Sequence, residues 1–245
     1  MQSQLVFGAN EFLGLTLCEH FLQEGLPVKG IMLPKTDPVS IKIIDERLML
    51  TGRNALFTTS TFDGNLEIKG DDYQTIYMIG HHINKPQLEA ALKVSLENNL
   101  SFVFITNLFQ DEENESRVFE DMIRKRLEKS QISYSIIRVP TLFGSWSPES
   151  SKEQVRILVK AYPYIMVVED AAETIVHLSK KKKSTVINLF ADYEKDPEIQ
   201  SWDVEQFDAN RLNNEEYYVL SNPTSIKEAI TIQKEIEERF ALLHE

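Results

Sequence analysis

Along the chain, apolar positions alternate between two textures: short unbroken runs, and stretches where they return every three or four residues. The first predicts strands buried on both faces, the second helices with one buried face. Residues 4–7 form such a run and stop at Gly8. Over 12–23, the steps Leu13, Leu17, Cys18, Phe21 and Leu22 predict a helix, with Gly25 placed to end it. A second strand is expected over 27–33, closed by Pro34. A second helix follows over 38–50, with Ile41, Ile44, Leu48 and Met49 as its apolar face. Strands are then predicted at 55–59, 75–80, 102–106, 133–139 and 184–190, and helices at 86–98, 115–130, 170–179 and 225–243. Asp111, Glu112 and Glu113 put negative charge at the positive end of the helix over 115–130.

Strands alternating with helices, and strands that are continuously apolar, predict an α/β protein with a doubly wound parallel sheet covered on both faces. Such sheets bind ligands beyond the carboxyl ends of their strands, where the strand order reverses. Functional residues are therefore expected in 8–14, 33–37, 80–84, 106–109 and 140–144. One domain is expected over 1–190, with a smaller part over 191–245 packed on it and ending in a helix.

Composition narrows the function classes. The 245 residues carry a net charge of −12, the opposite of what neutralises nucleic-acid phosphates, so a general nucleic-acid binder is excluded. Residues 192–245 hold 14 acidic and 5 basic residues, and so −9 of that charge. Just before them, Lys180-Lys181-Lys182-Lys183 reads as a solvated turn or as a patch for an anionic partner. The single cysteine, Cys18, forms neither an internal disulfide nor a cysteine metal cage. There is no signal-peptide pattern and no run long enough to span a membrane. A soluble cytoplasmic protein without metal is the expectation.

The first strand runs into Gly8-Ala9-Asn10-Glu11-Phe12-Leu13-Gly14 and then a helix, the context of a turn that cradles phosphate on backbone N–H groups. Together with Leu5-Val6-Phe7 this segment resembles the opening of the extended short-chain dehydrogenase/reductase superfamily, the epimerase/dehydratase branch with a Rossmann-like fold. Three later segments resemble the same family in order: Phe102-Val103-Phe104-Ile105-Thr106-Asn107, then Tyr134-Ser135-Ile136-Ile137-Arg138-Val139-Pro140-Thr141-Leu142-Phe143-Gly144, then Val167-Val168-Glu169-Asp170-Ala171-Ala172-Glu173-Thr174-Ile175. The resemblance implies an NAD or NADP cofactor held by Gly8, Asn10, Glu11, Phe12, Leu13, Gly14, Lys35, Gly80 and Thr106.

The departures from that family bear on activity. Glu11 stands where the family has its middle glycine, so either its side chain turns to solvent or it weakens binding of a diphosphate. Lys35 would meet a 2′-phosphate and Asp37 a ribose, and the sequence does not choose between the two cofactors. The family's acid–base dyad is a tyrosine with a lysine four residues later. The residues four beyond the eight tyrosines are Tyr77, His81, Arg138, Met166, Val168, Pro197, Ser221 and Asn222, none of them lysine. The chain most resembles atypical members that act as cofactor-binding sensors or regulators.

Two alternatives stay open. His82, beside His81, or Thr106 would serve as an unconventional acid–base group in an oxidoreductase or epimerase. A scaffold whose nucleotide binding Glu11 has ended is the other. Hydrolase, phosphate-loop and metalloprotease motifs do not occur. In the resembling family the helices matching 86–98 and 115–130 form a symmetric interface. Here Arg124, Lys125, Arg126 and Lys129 would face their own copies, which predicts a monomer or weak homodimer.

Overall fold

The computed structural model describes residues 3–34, 38–64, 68, 73–80, 83–108, 115–147, 152–161, 164–181, 183–202 and 216–242. β1 (Ser3–Phe7), α1 (Phe12–Gln23), β2 (Val28–Met32), α2 (Pro38–Thr51) and β3 (Phe57–Thr61) form the first half of the fold. β4 (Tyr73–Ile79), α3 (Lys85–Asn98), β5 (Ser101–Asn107), α4 (Glu115–Ser130) and β6 (Tyr134–Val139) form the second. β7 (Thr141–Phe143), α5 (Lys152–Ala161), β8 (Ile165–Val167), α6 (Val168–Ser179), β9 (Thr185–Ala191), α7 (Pro197–Trp202), β10 (Tyr217–Leu220) and α8 (Ile226–Leu242) complete the chain.

The main sheet has eight strands in the order β10-β9-β6-β5-β4-β1-β2-β3, and every pairing is parallel. This is the expected doubly wound α/β architecture. The order reverses between β1 and β4, which places the ligand crevice beyond Phe7 and Ile79. Alternate residues of each strand feed opposite faces. Val6, Tyr77, Val103 and Ile137 join Leu17 and Phe21 of α1 and Ile175 of α6. Leu5, Phe7, Met78, Phe104 and Ile136 join Leu88 and Leu92 of α3 and Ile123 of α4. A third cluster joins Val155 and Val159 of α5 to Ile226 and Ile230 of α8, against the small parallel sheet β7–β8.

Two expectations need correcting. The third strand begins at Phe57, not residue 55, because a turn holds the preceding residues out of the ladder. The Phe57 amide donates to the Asn54 carbonyl at 3.0 Å and the Leu56 amide to Asn54 Oδ1 at 3.0 Å. The buried face of α2 also only partly matches the apolar one: Leu48 packs against the core and Ile44 is half-buried. Ile41 and Met49 are exposed, whereas Arg47 is 3% exposed. Its guanidinium donates to Glu19 Oε2 at 2.6 Å, Thr16 Oγ1 at 3.1 Å and the Phe12 carbonyl at 3.3 Å, so polar bonds fasten α2 to α1. The strand β10, unforeseen in the acidic stretch, lies in the main sheet beside β9.

Among the described residues, no helix is long and apolar enough to cross a membrane. Nor does any group of three His, Cys, Asp or Glu side chains among them converge on a metal position. Arg126 meets Glu89 of α3 at 3.5 Å, and Arg124 meets Glu120 at 3.6 Å. Of the four cations that crowd the last turns of α4, Arg124 and Arg126 are thus already paired within the chain.

Candidate functional site: the crevice at the reversal of strand order

β1 delivers the chain into Gly8 at φ +78°, a left-handed turn that favours glycine. The Gly8 and Ala9 amides donate to the Ile31 carbonyl at 3.0 and 3.1 Å, tying the turn to β2. Asn10 completes that clasp: its Nδ2 donates to the Leu33 carbonyl at 2.6 Å, and its Oδ1 accepts from the Leu33 amide at 2.8 Å. The Asn10 side chain therefore belongs to the frame of the turn. Gly14 lets α1 start hard against this turn, since a Cβ there would lie 2.0 Å from the Gly8 carbonyl oxygen. Close approach of helix and turn aims the first amides of α1 into the crevice.

Glu11 is the N-cap of α1, with extended backbone (φ −81°, ψ 159°) and no capping bond from its side chain. It stands at the mouth of a cavity of about 440 Å³ together with Phe12 and Leu13. The carboxyl ends of β4, β5 and β6 supply Ile79, Ile105, Thr106 and Val139. Asn107, Leu108, Pro140, Thr141, Leu142 and, from α5, Leu158 close the rest. Most of the lining is apolar, and its hydrogen-bonding side chains are Glu11, Thr106, Asn107 and Thr141.

The structure thus brings Glu11, Phe12, Leu13 and Thr106 to one cavity, with Gly8, Asn10 and Gly14 as the frame behind them. Gly80 has a packing role: its amide donates to the Ile105 carbonyl at 2.6 Å, and a Cβ would meet Phe104 at 2.7 Å. Lys35, Asp37, His81 and His82 lie outside the described residues. Leu158 was missed by sequence reasoning. It sits on α5, and only the tertiary fold brings it over the strand ends.

Both flanks of the crevice are fastened by arginine. On one, Arg47 holds α2 to α1 and lies 5.7 Å from the ring of Trp146, which has φ +69°. The Trp146 amide donates to Gln233 Oε1, and Gln233 Nε2 donates to the Ser147 carbonyl at 3.0 Å, so α8 holds the loop after β7. On the other flank, Arg138 of β6 donates through Nε and Nη2 to the two Glu120 oxygens at 3.0 and 2.7 Å. Both residues are buried, and Arg138 also donates to Asn188 Oδ1 at 3.3 Å.

No family profile matches the chain. A curated relative, described as uncharacterized protein YjaV of Bacillus subtilis strain 168, is 26% identical over 171 residues, covering 63% of this chain and 92% of that one. Among solved structures, UDP-glucuronic acid 4-epimerase from Bacillus cereus in complex with NAD superposes with a TM-score of 0.67 at 14% identity, over 97% of this chain and 99% of that one. Alfalfa vestitone reductase gives 0.67 at 12% identity, over 98% and 99%. Yeast methylglyoxal/isovaleraldehyde reductase complexed with NADPH gives 0.62 at 11% identity, over 98% and 99%. These likenesses establish the fold: the chain has the Rossmann-like fold of the epimerase and reductase structures.

Proposed function

We propose that the chain binds a nicotinamide dinucleotide, NAD or NADP, over the turn from Gly8 to Gly14, and acts as a sensor or regulator rather than a turnover enzyme. The observation that carries this reading is the glycine turn at the reversal point of the sheet, opening on a cavity of about 440 Å³. The fit is good in the frame. Gly14 permits an approach that any Cβ would block, and the first amides of α1 suit a diphosphate. It is poorer at Glu11, whose carboxylate adds negative charge at the same helix start. Weakened affinity follows, a property suited to reporting cofactor levels. The absence of any tyrosine with a lysine four residues on supports binding without turnover.

Thermal shift with NAD, NADH, NADP and NADPH tests the reading. Ligand at about a hundred times its Kd stabilises a fold by about 2.7 kcal/mol, which a melting curve resolves easily. No stabilisation by any of the four at millimolar concentration would remove the cofactor from this account. In that event a scaffold role gains support. A second reading, an oxidoreductase or epimerase, is favoured by Thr106, which is buried and lines the cavity. Cofactor reduction with a sugar nucleotide or carbonyl compound, lost in Thr106→Val, would promote it. In solution a monomer or loose dimer is expected, and light scattering at low and high salt checks this.

A further inference from the structure

A second cavity, of about 290 Å³, lies at the opposite end of the sheet, under the amino ends of β1, β4 and β5. The Gln4 side chain is 6% exposed, lines this cavity, and its carboxamide oxygen has no hydrogen-bond partner among the described residues. A buried acceptor without a donor is costly, and an occupant bearing N–H groups removes the cost.

The Tyr77 hydroxyl gives a second acceptor. Tyr77 and Ser179 oxygens are 2.8 Å apart, and Ser179 donates its only proton to the Val176 carbonyl at 2.8 Å. Tyr77 must therefore be the donor to Ser179, which leaves the lone pairs of its own oxygen available. Burial pushes the Tyr77 hydroxyl up to about 12, so it stays a neutral phenol. The last turns of α1 and α6 both end here, through Phe21 and Ser179, and bring the negative ends of two helix dipoles to the same space. Phe21, Leu26 and Val176 supply an apolar wall. At the rim stands Lys180, 62% exposed and 3.7 Å from Glu24.

We infer that this cavity is a second binding site, for a small molecule that presents an ammonium group to Gln4 and Tyr77 and a short aliphatic chain to Phe21 and Val176. The site is independent of the dinucleotide crevice, which lies at the other end of the strands. Lys180 separates two sources of that chemistry. An amino acid would set its carboxylate against the lysine, whereas a plain amine would not use it.

Isothermal titration of the full chain with n-butylamine, L-norvaline and pentanoate tests this, because the three share a carbon chain and differ only in ammonium and carboxylate. Norvaline, butylamine or both bind at millimolar concentration, pentanoate does not, and Gln4→Leu weakens binding about tenfold or more. Gln74→Trp, which places a large ring at a half-buried lining position, abolishes it without touching the core. Norvaline tighter than butylamine, with the gap closed by Lys180→Ala, identifies an amino-acid site; equal affinities identify an amine site. Pentanoate binding as well as butylamine, binding unchanged in both Gln4→Leu and Gln74→Trp, or no binding by any of the three overturns the inference. Saturating dinucleotide leaves these affinities unchanged, so failure here is distinct from failure of the cofactor reading.

Discussion

The two flanks of the crevice use the same residue pair under different conditions. On the β6 side, Arg138 and Glu120 are both 2% exposed, enclosed between sheet and helix. On the α2 side, Arg47 is 3% exposed but its partner Glu19 is 29% exposed. In the first, removal of the carboxylate strands the Arg138 guanidinium where water does not reach, whereas Glu120 itself also meets Arg117 and Arg124 at 3.4 and 3.6 Å. In the second, water replaces the lost carboxylate and Arg47 keeps Thr16 and the Phe12 carbonyl. The contrast separates what an ion pair adds from what its loss costs, two quantities that differ most in the interior.

The largest effect is expected from Glu120→Ala, which takes the carboxylate away from the buried Arg138 guanidinium. A loss of about 3–5 kcal/mol is expected, read as a lower urea midpoint with unchanged slope. The double variant Glu120→Leu with Arg138→Met should recover most of that loss, since no charge is then left in the interior. If the double variant is as unstable as the single, the pair itself holds α4 to β6 and the contrast fails. Next comes Glu19→Ala, with an expected cost of about 1–2 kcal/mol, because the guanidinium keeps two partners and gains water. A cost equal to that of Glu120→Ala would show that Glu19 is effectively as enclosed as Glu120. The smallest effect is expected for Trp146→Gly. It gives up an arginine–ring contact of about 0.5–1 kcal/mol but removes a side chain from a left-handed backbone, so the net change stays near zero.

Glu11→Gly sharpens the comparison on the ligand side. It leaves both ion pairs intact and removes a negative charge from the helix start that faces the crevice. Dinucleotide affinity should rise about fivefold to tenfold, with a smaller rise at high salt. Unchanged affinity would mean that the Glu11 carboxylate sits clear of the bound diphosphate.

The sequence made some of this readable and hid the rest for physical reasons. β1, β4 and β5 are buried on both faces, so each appears as an apolar run around Val6, Met78 and Phe104, whereas β6 is as buried yet is interrupted by Ser135 and Arg138. The glycine turn was readable because Gly8 and Gly14 have steric duties that other residues cannot perform. Arg47 was not, because an arginine amid Ile44 and Leu48 gives no sign that partners on another helix will bury it. β7 and β8 have three residues each and exist only by pairing with one another, a long-range event. β10 is half-exposed and follows an acidic stretch, so its Tyr-Tyr-Val-Leu run lacked the apolar flanks of the central strands. Of the candidate site, the strand-end segments around Thr106 and Pro140, expected from topology alone, line the cavity. Leu158, on α5, depended on tertiary packing.

The position of β10 also governs the order in which the sheet can be completed during synthesis. Every residue that lines the crevice precedes residue 159, and β9 ends at residue 191, so both can be in place while β10 is still to come. Until residues 217–220 arrive, the outer edge of β9 offers unpaired N–H and carbonyl groups to any neighbouring chain. The segment made next is the most acidic of the molecule, and two nascent copies carrying it repel each other across that open edge. A chain ended at residue 215 keeps part of this repulsion but never closes the edge, and it should aggregate increasingly as salt is added. In this light the acidity of residues 192–216, which precede β10, would hold copies apart until the strand that seals the sheet has been made.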